Sequence, residues 1–303
     1  MDVGVILPMN DGDGPGGSRW PRIRDLARLA EAGGMDSVWV YDHLIFRLAG
    51  EPEDGIHEAW TVLTAVAAVT ERVKLGSIVL GSGFRPPAVL AKMAATLDEV
   101  ADGRLILGLG VGWHEPEYRA FGFPYDHRVG RIEEVLAILP PLLRGERVTF
   151  HGRYHQVEDA VLIPPPPRPT RLPGHVPILV AARGERALRL VARHADAWNA
   201  AWFGVPNDRF HQRRADLLAA CEAEGRDPAT LEVTVGVTID TERAVGGRPG
   251  AVDALAPEPD AIARALDAWR DLGVGHVQVD LRPASERTIE MLLEARARHR
   301  GER

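Results

Sequence analysis

The strongest constraint on this chain is a period. Short apolar runs rich in β-branched residues alternate with longer amphipathic stretches eight times between residues 3 and 298. Strands are expected over 3–7, 37–41, 73–80, 105–109, 178–182, 197–199, 232–239 and 276–281. Helices are expected over 21–32, 58–70, 88–101, 129–144, 185–194, 207–224, 260–272 and 285–298, the first of them ending on a left-handed cap at Gly33-Gly34. A strand that reaches its neighbour through a helix runs parallel to it, and the crossover is right-handed. Eight such units fill the 303 residues and close an α/β fold of the (β/α)8 TIM-barrel kind, one domain over 1–303 with insertions at the C-terminal face. The rival is an open doubly wound sheet. Against it, no Gly-x-Gly-x-x-Gly turn follows the first strand, and composition does not change along the chain.

Three segments depart from the period: a longer loop over 113–128, a hairpin over 147–156, and a proline-rich crossing over 163–177 that reads as extended backbone. Net charge is -7, and the charges are mixed without a basic block, so neither nucleic acid nor an anionic membrane surface is expected as a partner. Cys221 is the only cysteine, which rules out an internal disulfide and a thiolate metal cluster. No run approaches membrane-spanning length and no signal segment opens the chain, so a cytoplasmic protein is expected.

In a closed barrel the chemistry sits at the C-terminal ends of the strands, and that rule sorts the candidates. Of 36 cationic residues only Lys74 and Lys92 are lysines. The first begins a strand and the second lies on an outer helix, so Schiff-base chemistry has no placed amine. The second strand runs into Asp42-His43, a hydrogen-bond acceptor followed by a group that titrates near neutrality. A turn-capping aspartate beside a solvated histidine is the plainer alternative. The third strand ends in a glycine-dense run, Gly76 to Gly83, which points to a bulge or a close approach of backbone to a flat ligand. Gly108, Gly110 and Gly112 alternate at the end of the fourth, and Ala181-Ala182-Arg183-Gly184 opens a helix whose first-turn amides can bind an anion; flexible or tight turns explain both equally simply. His151 and His155 fall on the hairpin and would not share a face, and no His-x-His ends the first strand, so no metal is expected. Cys221 on an outer helix reads as inert, and Trp198, Trp202 and Trp269 read as packing, Trp202 the least clearly so.

Together the strand-end motifs resemble the luciferase-like monooxygenase superfamily, barrels that bind a flavin or deazaflavin. The resemblance is carried by Asp36-Ser37-Val38-Trp39-Val40-Tyr41-Asp42-His43, Glu71 to Gly76, Pro86 to Lys92 with Thr96-Leu97-Asp98, Gly103-Arg104-Leu105 through Gly112-Trp113, and Leu188 through Asp196-Ala197-Trp198-Asn199. It implies hydride chemistry with a tricyclic ring over the barrel mouth, resting on a bulge, often with a cis peptide, that maps onto Ile78-Val79. It implies that backbone at Gly110, Val111 and Gly112 and at Ala181, Ala182, Arg183 and Gly184 holds the cofactor phosphate, Ala181-Ala182 replacing the more usual Gly-Gly. The Val-Trp-Val-x-Asp-His run resembles the branch that uses coenzyme F420, which implies that His43 assists proton transfer, with Asp42 beside it orienting His43 or a cofactor hydroxyl. Sugar-phosphate dehydrogenases of that branch carry a glutamate about where Trp113 stands, which argues against that substrate. The other branch takes reduced FMN from a separate reductase and activates oxygen, and some members bind flavin without turnover. The resemblance further implies a small-molecule substrate, a flavin or F420 reductase as partner and a homodimer. The loops over 11–18, 44–56, 113–128 and 241–257 are expected to line the mouth.

Overall fold

A computed structural model describes residues 1–11, 17–165, 175–240 and 254–302. Parts of three expected loops, over 12–16, 166–174 and 241–253, lie outside the described residues. In chain order the elements are β1 (Asp2–Ile6), α1 (Trp20–Ala32), β2 (Ser37–Val40), β3 (Ile45–Phe46), β4 (Asp54–Gly55), α2 (Ala59–Ala67), β5 (Lys74–Ser77), β6 (Leu80–Gly81), α3 (Pro87–Val100), β7 (Leu105–Gly110), α4 (Glu115–Phe121), α5 (Arg128–Leu143), β8 (Val148–His151) and β9 (Gln156–Ala160). They continue as β10 (Ile178–Ala181), α6 (Glu185–His194), β11 (Ala197–Phe203), α7 (Asp208–Ala223), β12 (Glu232–Asp240), α8 (Pro259–Asp271), β13 (His276–Arg282) and α9 (Glu286–Arg300).

Eight parallel strands close on themselves. The order is β1-β2-β5-β7-β10-β11-β12-β13, and β13 returns to β1 with Val3 opposite Val277. Strands buried on both faces need apolar residues at every position, which is why β2 and β7 are buried throughout although neither alternates in polarity. The inner layer holds Ile6, Trp39, Ile78, Ile106, Leu179 and Ala197, and a larger apolar layer lies between strands and helices. Trp39 fits inside because Gly76 faces it: a Cβ there would lie 2.1 Å from the indole.

The N-terminal face is fastened by charge. Arg104, 3% exposed, donates to the carbonyls of Ala67, Thr70, Val73 and Ala101, and Lys74 pairs with Asp2 at 2.7 Å. Lys92 donates to the Ile163 carbonyl, so both lysines sit away from the mouth. No described helix is long and apolar enough to cross a membrane.

Local detail departs from the expected elements in places. The third strand breaks at Ser77 and resumes as β6, and the cis peptide that the resemblance implied lies between the two pieces, at Ile78–Val79. The strand expected to stop at 199 runs on to Phe203 through a register irregularity and a second cis peptide, Ala201–Trp202. At the end of α1 the left-handed residue is Gly34, while Gly33 keeps a helical φ of -77° because its N–H still bonds to the Leu29 carbonyl. The hairpin extends to Ala160, and the loop over 113–128 contains α4, seven residues that are too few to display a helical period.

Candidate functional site

A cavity of about 760 Å³ opens at the C-terminal ends of the strands. Its wall includes Asp42, His43, Ile78, Val79, Gly110, Val111, Gly112, Ala181, Ala182 and Arg183. Gly184 is off the wall; it is the N-cap of α6, with φ +81°. Strand-end placement thus gathers into one concavity residues spread over some 140 positions of sequence.

His43 follows β2, and its Nδ1 lies 2.9 Å from Oε1 of Glu117 on α4. The other carboxylate oxygen accepts from the Leu44 N–H at 2.9 Å, and Glu117 is 1% exposed. An ionised carboxylate only accepts, so the His43 proton is on Nδ1 and Nε2 is the nitrogen left for a ligand. Phe46, Trp113, Tyr41 and His114 surround the imidazole, with ring centroids 4.5, 5.4, 6.1 and 6.3 Å away. His114 is buried and accepts from the Arg47 N–H at 3.0 Å. Burial holds its pKa below the ordinary imidazole value, so it stays neutral at pH 7.

The residue that orients His43 is therefore Glu117 and not Asp42. The Asp42 carboxylate is engaged elsewhere: it accepts from Gly81 N–H at 2.9 Å and from the two terminal nitrogens of Arg85 at 2.7 and 3.1 Å. Arg85 also reaches Glu58, the side-chain cap of α2. Asp42 borders the cavity while it clamps the end of β2 to β6.

The wall beyond the ends of β7, β10 and β11 is cationic. Arg128 donates to the Gly112 carbonyl and lies 4.2 Å from the Tyr125 ring centre. Arg213 donates to the Ala201 carbonyl, and burial together with the nearby Arg209 and Arg183 lowers its pKa. Arg186 at the start of α6 is paired with Glu133, whereas Arg128, Arg183 and Arg213 have no carboxylate partner among the described residues. Bare backbone is enforced at Gly112: its φ is +74°, and a Cβ would lie 1.8 Å from the Tyr118 hydroxyl oxygen. Deeper in the wall, Asn199 donates to Thr234 Oγ1 and Gln278 Oε1 while its own Oδ1 has no partner. An orphaned buried acceptor, a cationic rim and exposed main chain fit a flat ligand that carries hydrogen-bond donors and an anionic tail.

Of the tryptophans, Trp198 and Trp269 are buried and donate to the Ala182 and Gly204 carbonyls, and Trp202 lies on the cavity wall. Sequence reasoning missed Glu117, Arg128, Arg213 and Asn199 as site residues. Only Asn199 had a signal, its place at the end of a strand; the other three come from helices, whose side chains the strand-end rule does not reach.

The luciferase-like monooxygenase family model matches residues 1–276, and the chain belongs to that family. The phthiodiolone/phenolphthiodiolone dimycocerosates ketoreductase of Mycobacterium kansasii is 34% identical over 262 residues, 80% of this chain and 70% of that protein. The F420-dependent glucose-6-phosphate dehydrogenase of Kineococcus radiotolerans is 34% identical over 233 residues, 74% of this chain and 66% of the other. A structure of an F420-dependent secondary alcohol dehydrogenase in complex with an F420–acetone adduct superimposes with a TM-score of 0.78 over 97% of each chain, at 19% identity. That last likeness confirms the barrel.

Proposed function

We propose that this protein is an oxidoreductase that binds coenzyme F420 at the barrel mouth and moves a hydride between it and a small organic substrate. The observation that carries the reading is His43, held by a buried carboxylate with Nε2 free on the cavity wall. Two relatives of high coverage support the choice of chemistry and cofactor, one a ketoreductase and one F420-dependent. When bound, a deazaflavin supplies or accepts a hydride. The protein must then handle a proton at the substrate oxygen. Nε2 of His43 exchanges that proton, and Glu117 stabilises the imidazolium formed when Nε2 is protonated. Arg128, Arg183 and Arg213, with backbone at Gly110, Val111, Gly112, Ala181, Ala182 and Arg183, receive the anionic part of the cofactor. Ile78, Val79 and Trp202 offer apolar surface to its ring. The pairing of β1 with β13, and Arg300 reaching Asp36 from the last helix, support one domain over 1–303.

The test is a titration of the purified protein with F420 and, separately, with FMN, followed by ultrafiltration and absorbance. Retention of F420 in preference to FMN is expected. Retention of FMN alone would favour a monooxygenase supplied by a separate reductase.

A further inference from the structure

We infer that the substrate is an uncharged, apolar ketone or secondary alcohol, seated with its hydrocarbon part on the Phe46–Trp113 wall and its oxygen at His43; this rests on the hydride-transfer reading above. The cavity is divided electrostatically. In the strand order β2 stands four places from β11, across the barrel, so the His43 side faces the side that carries Arg213. Among the described residues, the cavity-lining arginines without a carboxylate partner are those of α5, α7 and the turn before α6.

Near His43 the charge balance is the reverse. Arg85 is matched by Asp42 and Glu58, Arg47 by Glu53, and His114 is kept neutral by burial. Glu117, buried beside His43, adds a negative charge. Beside His43 itself a phosphate or carboxylate would face the Glu117 carboxylate with Arg47 and Arg85 already paired, while the unpaired Arg128 stands farther round the mouth, on the Gly112 carbonyl after β7. The wall is built for carbon instead. Trp113 is 50% exposed, whereas Trp39, Trp198 and Trp269 are fully buried, and it continues into Phe46 at a centroid distance of 6.2 Å with the planes inclined by only 30°. Leu48 lines the same cavity. A half-exposed indole on a cavity wall gains by being covered with apolar surface, and His43 stands beside it as a polar anchor with a free ring nitrogen.

The experiment uses acetone, cyclohexanone and acetophenone as probes, with glucose 6-phosphate as the charged comparator. With reduced F420, kcat/KM should rise at least tenfold from acetone to acetophenone, and glucose 6-phosphate should not be oxidised with F420. Trp113→Ala should lower kcat/KM for acetophenone by roughly tenfold or more and for acetone by less than about threefold, as loss of a pocket wall does. Trp113→Phe should keep most of the activity, and F420 affinity should change in neither variant. A flat ketone series, or preferred turnover of glucose 6-phosphate, in a protein that binds F420 would overturn the inference and leave the function standing. Failure to bind F420 would strike the function instead, and calorimetry of acetophenone binding to the cofactor-free protein then decides the inference. Weaker binding in Trp113→Ala than in wild type supports the apolar wall, and equal binding overturns it.

Discussion

Two histidines at opposite ends of the barrel show how place decides role. His276 begins β13 on the N-terminal face, where its Nε2 lies 2.7 Å from the Ser37 hydroxyl. That hydroxyl also accepts from the Trp39 indole N–H at 2.7 Å, so ring, hydroxyl and indole form one buried chain of hydrogen bonds. Burial pushes the His276 pKa down to about 4. His43 at the mouth has a carboxylate on Nδ1, partial exposure and a free Nε2. One ring is committed to a closed internal chain of hydrogen bonds, and the other is left with an unused nitrogen. The same contrast holds for the arginines. Arg104 is spent on four carbonyls below, while Arg183 and Arg213 above have no carboxylate partner among the described residues. His276 and Arg104 are satisfied within the fold, and the groups with spare valence compared here line the mouth.

The sharpest way to break this contrast is to cut one group from each end. Arg104→Ala would leave four buried carbonyls without their donor, and a loss of roughly 3 kcal/mol or more is expected by urea denaturation, with turnover per folded molecule unchanged. His43→Ala should do the opposite: turnover falls roughly 100-fold or more, equivalent to about 2.7 kcal/mol, while stability and F420 affinity hardly move. Near-normal turnover at saturating cofactor would reduce His43 to a packing residue. Glu117→Gln should have a smaller effect, about tenfold in kcat, because the amide offers one acceptor in place of two and no longer stabilises an imidazolium. A Glu117 variant with normal kcat and a raised KM would show that it shapes the pocket only.

The barrel was legible because eight repeats of one period leave a single closed solution, and helix 185–194 was located to the residue. Strand ends were legible too, since the rule that puts chemistry there drew His43, Ile78 and Gly112 into one cavity. What escaped was contact made from outside the period. Glu117 lies 74 positions from His43 on a helix of seven residues, and no pattern within either segment announces the pair. The clamp on Asp42 escaped for the same reason: its partner Arg85 is 43 positions away, just past the glycine-dense run. Pairings of this kind are set by how the loops fold over the mouth, and local propensity carries no information about that.

The smallest expected effect concerns pH and the N-terminal face, where two buried groups titrate in opposing senses. His276 has a folded pKa near 4, against about 6.5 in an unfolded chain, so between those values the unfolded state binds more protons and stability falls as pH falls. Asp98, at the end of α3, has its carboxyl raised to about 6 by burial, with the Leu105 N–H on Oδ1 and no partner on Oδ2. Its unfolded pKa is about 3.9, so from pH 6 down to 4 the folded state binds more protons and stability rises as pH falls. The two slopes oppose each other, and the wild-type stability contributed by this pair should be nearly level over that window. Asp98→Asn removes one arm. The variant should be more stable than wild type at pH 7 by roughly 1 kcal/mol, since a buried charge with a single donor is gone. It should then lose stability on acidification at up to about 1 kcal/mol per pH unit, because the Asp98 arm is gone and Glu232, whose carboxyl burial also raises, is left to offset His276. Urea midpoints at pH 7, 6, 5 and 4.5 measure both effects. If variant and wild type run parallel across the series, Asp98 is already ionised throughout, and the buried charge on this face is being met by a donor that its geometry does not show.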